Sequence, residues 1–271
     1  MNVIFFTDTD ITPFMGGVER VTINLVRKLN ERGHRCYLGF FSNVSMETCP
    51  DFCGKFHLQK DNIAQQLRNI LVEQQINTCI INLGAKKLIS FFNKTLFQVT
   101  RELGNIKVIS GFYNYPGFEL FGLSPALAWY RITNGQCNIT TLNGFITTVC
   151  NKLHINGPIK HKIAQKLRNG LYSDEIVLLS ENYISLYKHW IGENINHAFT
   201  AIGNPLSYAH NISSEDISTK EKIVLQVARF DDNFKRQTTA LKIWKKIEDS
   251  GLFEDWKFIM VGYGPDEKFI K

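Results

Sequence analysis

The feature that most constrains this chain lies at its start. Val3-Ile4-Phe5-Phe6 is an apolar run of strand length, a polar stretch from Thr7 to Met15 follows, and Gly16-Gly17 then opens a helix pattern. Val18, Val21, Leu25, Val26 and Leu29 recur at helical spacing, and Gly33 stands where a residue of positive φ stops a helix. A strand that runs through a glycine loop into a helix is the opening of an open α/β sheet, whose ligands sit beyond the carboxyl ends of the strands. Two glycines let backbone approach a ligand with no Cβ in the way. The free N–H groups and positive dipole end of the helix behind them suit a phosphate. Glu19, in the first helical turn, is favoured there as well. The plainer alternative is that Gly16-Gly17 makes a tight turn and nothing more.

The alternation continues down the chain. Residues 36–41 read as a second strand, 42–56 as a loop, and Asp61 as the cap of a helix carrying Ile63, Leu67, Ile70 and Leu71. Residues 78–83 read as a third strand, followed by a helix with Leu88, Phe92, Leu96 and Val99, then a fourth strand at 106–109. Continuous apolar strands between amphipathic helices predict βαβ units and a parallel sheet. The stretch from Gly111 to Gly144 breaks this rhythm with Tyr113, Phe118, Phe121, Trp129 and Tyr130, which either line a pocket or pack short helices. Strands return at 174–180 and 197–202, with Ser180 or Asn182 as the cap of the helix between them. Gly203-Asn204-Pro205 is a turn cluster, and the polar stretch after it reads as a linker. Beyond Lys222 the rhythm restarts with a strand at 223–228, a helix with Ala240, Leu241, Trp244 and Ile247, and a strand at 258–261.

No run of about 18 apolar residues is present, so no transmembrane helix is expected. Asp8 and Asp10 interrupt the apolar start too soon for a signal peptide, and six scattered cysteines fit free thiols, so a cytoplasmic location is expected. Of the net charge of +6, Lys152, Lys160, Lys162, Lys166 and Arg168 supply five within a stretch free of acids. Such a stretch either faces an anionic membrane or acceptor, or is a solvated helix face.

Taken together, Gly16-Gly17-Val18-Glu19-Arg20, Ile176 to Glu181, Gly203-Asn204-Pro205, Val227-Ala228-Arg229-Phe230 with Lys235, and Gly262-Tyr263-Gly264-Pro265 resemble the GT-B glycosyltransferases of the family 4 type. The resemblance implies an α/β fold with a complete N-terminal Rossmann-like domain over 1–205, a linker over 206–222 and the beginning of a second Rossmann-like domain over 223–271, truncated in that domain. It implies transfer of a sugar from a nucleotide-diphosphate donor to a saccharide or lipid-linked acceptor, in surface polysaccharide or lipopolysaccharide synthesis, with no cofactor, no metal and no nucleic-acid partner. Arg229 and Lys235 would grip the donor diphosphate from the second domain and the Gly16-Gly17 backbone would face it from the first. Glu19, Arg20, Tyr113, Asn114, Asn204, Gly262 and Gly264 are candidate donor or acceptor contacts. An Arg fork and a Lys point charge suit that work physically, because the leaving diphosphate gains negative charge as its bond to the sugar breaks.

Two departures from the family pattern stand out. Tyr113 and Asn114 occupy the positions where many members carry a histidine, and neither replaces it as a base at neutral pH. The family's paired glutamates of the second domain are absent from these 271 residues. The chain alone is therefore expected to be inactive. A truncated, non-catalytic binding protein of the same fold and a GT-B sugar-nucleotide epimerase are the rival readings. A dinucleotide-dependent dehydrogenase is disfavoured, because the first loop lacks Gly-x-Gly-x-x-Gly.

Overall fold

The computed structural model describes residues 1–12, 16–42, 49–82, 89–104, 106–136, 138–205, 213, 215 and 218–271. Its elements are strands β1 (Asn2–Thr9), β2 (Arg35–Ser42), β3 (Gly54–His57), β4 (Thr78–Ile81), β5 (Lys107–Phe112), β6 (Glu175–Leu178), β7 (Ala198–Ala201), β8 (Ile223–Val227) and β9 (Lys257–Val261). The helices are α1 (Gly17–Glu31), α2 (Ile63–Glu73), α3 (Ile89–Leu103), α4 (Pro125–Thr133), α5 (Ile139–Lys152), α6 (Gly157–Arg168), α7 (Glu181–Ile191), α8 (Asp232–Lys235), α9 (Gln237–Glu248) and α10 (Glu267–Ile270). They divide into two compact units, residues 1–118 with 161–209, and residues 119–160 with 210–271.

The first unit is a seven-stranded parallel sheet in the order β3-β2-β1-β4-β5-β6-β7. Strand β1 shows why the sheet is buried on both faces. Val3 and Phe5 join Ile23 and Val26 of α1 on one side. Ile4 and Phe6 join Leu67 and Leu71 of α2 and Phe92 and Leu96 of α3 on the other. All four β1 side chains are at most 3% exposed, and Phe6 meets the edge of Phe92 at 5.0 Å. Each such aromatic contributes about 2–3 kcal/mol of burial. Chain order reverses between β1 and β4, which makes the carboxyl ends of these two strands the switch point of the sheet.

Several sequence expectations are corrected. Residues 54–57, expected in a loop, form the edge strand β3, which four residues with one glycine and two cationic-type side chains disguise. Asn62, in the left-handed region at φ 56°, precedes α2 in place of an Asp61 cap. The Gln66 amide instead reaches back to the Asp61 and Gln59 carbonyls. On α1 the inward face is Thr22, Ile23 and Val26, and Leu25 is exposed. Ser180 does cap α7, accepting from the Asn182 N–H. Leu83 and Leu88 lie outside the described residues, as does most of the expected linker.

The second unit departs most from expectation. The excursion 119–160, expected within the first domain, groups with 210–271. Its core is Leu123, Leu127 and Ala128, joined by Tyr130, whose ring lies tilted at 5.2 Å from that of Phe269 of α10. Strands β8 and β9 pair in parallel. Trp244 of α9 covers Phe258 on one face of this pair. Leu225, Val227, Ile259 and Val261 share the other face and are all exposed. Trp129 is 70% exposed, Phe118 lies under the Lys166 ammonium at 5.2 Å, and Tyr130 borders a groove with Gln136 and Pro265.

Candidate functional site

In the second unit, the chain leaves β8 into a loop that is stitched to the loop after β9. Ala228 N–H donates to Val261 O at 3.0 Å, Phe230 N–H to Tyr263 O at 2.9 Å, and Asp266 N–H to Phe230 O at 3.1 Å. The glycines of the second loop exist for this contact. A Cβ on Gly262 would stand 1.9 Å from Ala228 O, and one on Gly264 would stand 2.3 Å from Phe230 O. Gly262 and Gly264 therefore face the protein's own backbone and shape the Arg229 loop.

Behind that loop lies an ion network the sequence reading missed. Arg131 of α4 is 11% exposed and donates from Nε and Nη2 to both Asp266 oxygens, at 2.9 and 2.7 Å. Its Nη2 also reaches Asp231 Oδ1 at 3.1 Å. Asp231 and Asp266 are 8% and 0% exposed. The hydrogen bonds to Asp266 hold the Arg131 guanidinium above its ordinary pKa in spite of burial. The second Asp231 oxygen accepts from Arg229. Asp232 accepts from the Thr238 N–H and hydroxyl and so caps α9. Asp266 also accepts from the Asp232 N–H, and the Gln237 amide donates to the Arg229 carbonyl at 2.7 Å.

The consequence for charge is directional. The carboxylates point inward and are buried, whereas Arg229 is 63% exposed and Lys235 is exposed. Asp231 occupies one edge of the Arg229 fork and leaves its remaining donors to solvent. The Lys235 ammonium makes no hydrogen bond or ion pair among the described residues. Two outward cations thus stand at the carboxyl end of β8, beside the start of α9, where their charge and free donors are chemically suited to phosphate oxygens.

In the first unit, Gly16 and Gly17 lie at the start of α1, whose N-cap, Gly16, offers no side chain to its free N–H groups. The Glu19 carboxylate is folded back, so that a Cβ on Gly16 would be 2.9 Å from Glu19 Oε2. A Cβ on Gly17 would meet nothing within 4 Å. Among the described residues, neither backbone angle nor packing demands glycine at 17. At the switch point, Asn82 is buried at the end of β4. It donates to Thr22 Oγ1 at 3.0 Å and accepts from the Tyr113 hydroxyl at 3.0 Å. Tyr113 is thus a positioned group, and burial pushes its pKa up to about 12, so it stays a phenol. Asn114, Arg20 and Asn204 are exposed. Alongside, the buried Asp10 accepts from the Lys55 ammonium at 2.8 Å. Asn82 and Asp10 carried a readable signal, since each directly follows a parallel strand, whereas Lys55 lies within β3, which the sequence did not reveal.

The five basic residues of the 151–170 stretch do not act alike. The Arg168 guanidinium donates to the Ile191 carbonyl, and Lys166 lies over Phe118. Lys152, Lys160 and Lys162 are exposed. No helix of the described residues is long and apolar enough to cross a membrane.

No family model and no curated protein sequence matches the chain. Solved structures do resemble it. An alpha-glucosyltransferase in complex with UDP-glucose and DNA containing an abasic site superposes with a TM-score of 0.51 at 14% identity, over 100% of this chain and 59% of that one. The lipopolysaccharide outer core galactosyltransferase WaaB, in its apo form, gives 0.52 at 13% identity, over 100% and 63%. A sucrose-phosphate synthase from Thermosynechococcus elongatus gives 0.51 at 13%, over 100% and 72%. The chain thus spans about three fifths of the length of the first two structures. At such identities the likeness concerns architecture, and the architecture is that of the GT-B glycosyltransferases, a Rossmann-like parallel sheet with helices on its faces.

Proposed function

We propose that this chain serves glycosyl transfer from a nucleotide-diphosphate sugar to a saccharide or lipid-linked acceptor, in the manner of family 4 enzymes of surface polysaccharide or lipopolysaccharide synthesis. The observation that carries the reading is the outward pair Arg229 and Lys235 with its acids buried behind it. In this reading the two cations hold the donor diphosphate. As the bond between the anomeric carbon and the diphosphate oxygen breaks, the electron pair leaves with the diphosphate, where fixed cations stabilise it better than mobile water does. The acceptor hydroxyl forms the new bond to the anomeric carbon, and its proton passes to the leaving phosphate oxygen. Tyr113, held as a phenol by burial, takes no proton and serves to orient a hydroxyl, with Asn114 beside it. The nucleotide-bound neighbours, one with UDP-glucose, support a nucleotide-sugar donor.

The test is calorimetric titration of UDP and a panel of UDP-sugars, with transfer measured by release of nucleotide. Arg229→Ala and Lys235→Ala should each weaken donor binding and, in an active enzyme, lower turnover on the order of 10²-fold. Unchanged donor affinity in both variants would remove the diphosphate assignment. Gly17→Val checks the first unit separately. It should keep stability, because no described residue comes within 4 Å of the added Cβ, and should lose transfer if that space receives substrate.

A further inference from the structure

Helix α5 is inside out. The residues it buries or half-buries against α4 and the turn before it are small or hydroxylic. Thr141 and Thr147 are buried, and Gly144 comes so close to Leu123 that a Cβ would stand 2.9 Å from the leucine's own. The Thr148 hydroxyl donates to the Leu123 carbonyl at 2.6 Å. The large apolar residues point the other way. Ile139 is 78% exposed, Leu142 52%, Ile146 46%, Val149 38% and Leu153 61%, with Phe145 beside them at 36%. At 100° per residue they fill an arc of about 120°, the width that other helices reserve for a core. The corner after α5 continues the stripe, since His154 turns through the left-handed region at φ 57° and leaves Ile155 57% exposed. An uncovered apolar stripe of this length marks a docking surface.

Charge identifies what docks. Between Glu119 and Asp174 there is no acidic residue, and the Lys and Arg of that stretch equal the +6 of the whole chain. Arg131, Lys166 and Arg168 are engaged within the fold, as described above. Lys152 at the edge of the apolar arc, and Lys160 and Lys162 on α6, remain exposed with no side-chain partner among the described residues. A second copy of this chain would bring the same cations against them with no carboxylate of that stretch to pair. An anionic lipid surface offers both what the aliphatic arc needs and what the lysines need.

We propose that α5 and the corner after it seat this chain on an anionic membrane surface. Ile139, Leu142, Ile146, Val149 and Leu153 enter the acyl boundary, and Lys152 and Lys160 lie at the headgroups. The proposal is independent of sugar transfer and holds for the chain whether or not it catalyses.

The test is sedimentation of the full 271-residue chain with phosphatidylcholine vesicles prepared with and without phosphatidylglycerol. The chain should bind the anionic vesicles, with weaker binding as salt rises. Leu142→Glu with Ile146→Glu should reduce binding by about tenfold or more. Lys152→Ala with Lys160→Ala should reduce it by about 25-fold, about fivefold for each lysine. All four positions are exposed, so circular dichroism should be unchanged. A bimane label at Leu142→Cys, quenched by lipid-borne spin labels, reports insertion without relying on the loss variants. Equal or negligible binding to both vesicle types overturns the proposal. So does binding that survives the Leu142 and Ile146 substitutions, or a wild-type dimer that those substitutions dissolve.

Discussion

Arg131→Met is the sharpest probe of how the second unit holds its candidate phosphate loop. The substitution keeps most of the buried volume and helix propensity of α4 but removes three hydrogen bonds to two carboxylates. Breaking a buried ion pair from one side costs about 3–5 kcal/mol, because the remaining charge stays desolvated. Here each acid keeps something. Asp266 still accepts from the Asp232 N–H, and Asp231 still holds Arg229. The lower end applies, about 3 kcal/mol, a large part of the stability of an ordinary domain. Urea unfolding should show a midpoint lower by about 2 M at an ordinary slope. Hydrogen exchange should speed up in α4 and in the loop after β9. Arg131→Lys, which keeps the charge but not the fork, should fall between the two. Asp231, no longer shared, would also close more tightly on Arg229 and weaken donor binding. An Arg131→Met unfolding free energy that differs from wild type by less than about 0.5 kcal/mol would show that these three side chains do not act as one unit.

Three further outcomes are expected. Gly262→Ala should be among the most destabilising single changes, by about 3 kcal/mol or more. Its φ is +156° and its Cβ would overlap Ala228 O, so thermal melting with a small shift would contradict the stitched loops. Stability should fall as pH drops below the ordinary histidine value of 6.5, in part through His197, whose pKa is lowered by burial against an opposing pull from Asp174. Because the unfolded chain binds that proton more readily, this contribution is complete above 6.5 and is lost as pH falls, so His197→Phe should flatten the pH dependence of unfolding. Leu225→Thr with Val227→Thr, on the open face of the β8–β9 pair, should lower hydrophobic-dye binding at little cost in melting temperature, since both side chains are already in water.

What the sequence determined on its own is the periodic part of the fold. Apolar spacing reports burial directly, so the runs in β1, β2, β4 and β6 and the face Ile63, Leu67, Ile70 and Leu71 of α2 were all legible. The strand–glycine–helix opening placed Gly16 and Gly17 at the start of α1, and Arg229 and Lys235 were singled out by the resemblance, since two cations after a strand are by themselves ordinary surface charges. Periodicity gives an apolar face but not the direction in which it points. On α5 the apolar stripe turns outward, because the partner surface of α4 and Leu123 accepts close approach only by threonine and glycine. The short edge strand β3 has no periodic pattern to read, because neighbours on one side only define it. The partners of Arg131 lie 100 and 135 residues away, and nothing local marks them. Gly262 and Gly264 signal close backbone approach, yet only packing shows that the approaching group is the chain itself at Ala228 and Phe230. Residue types and spacing are local properties and survive in the sequence. Which surfaces meet is decided by the balance of all contacts at once, and that balance exists only in the folded chain.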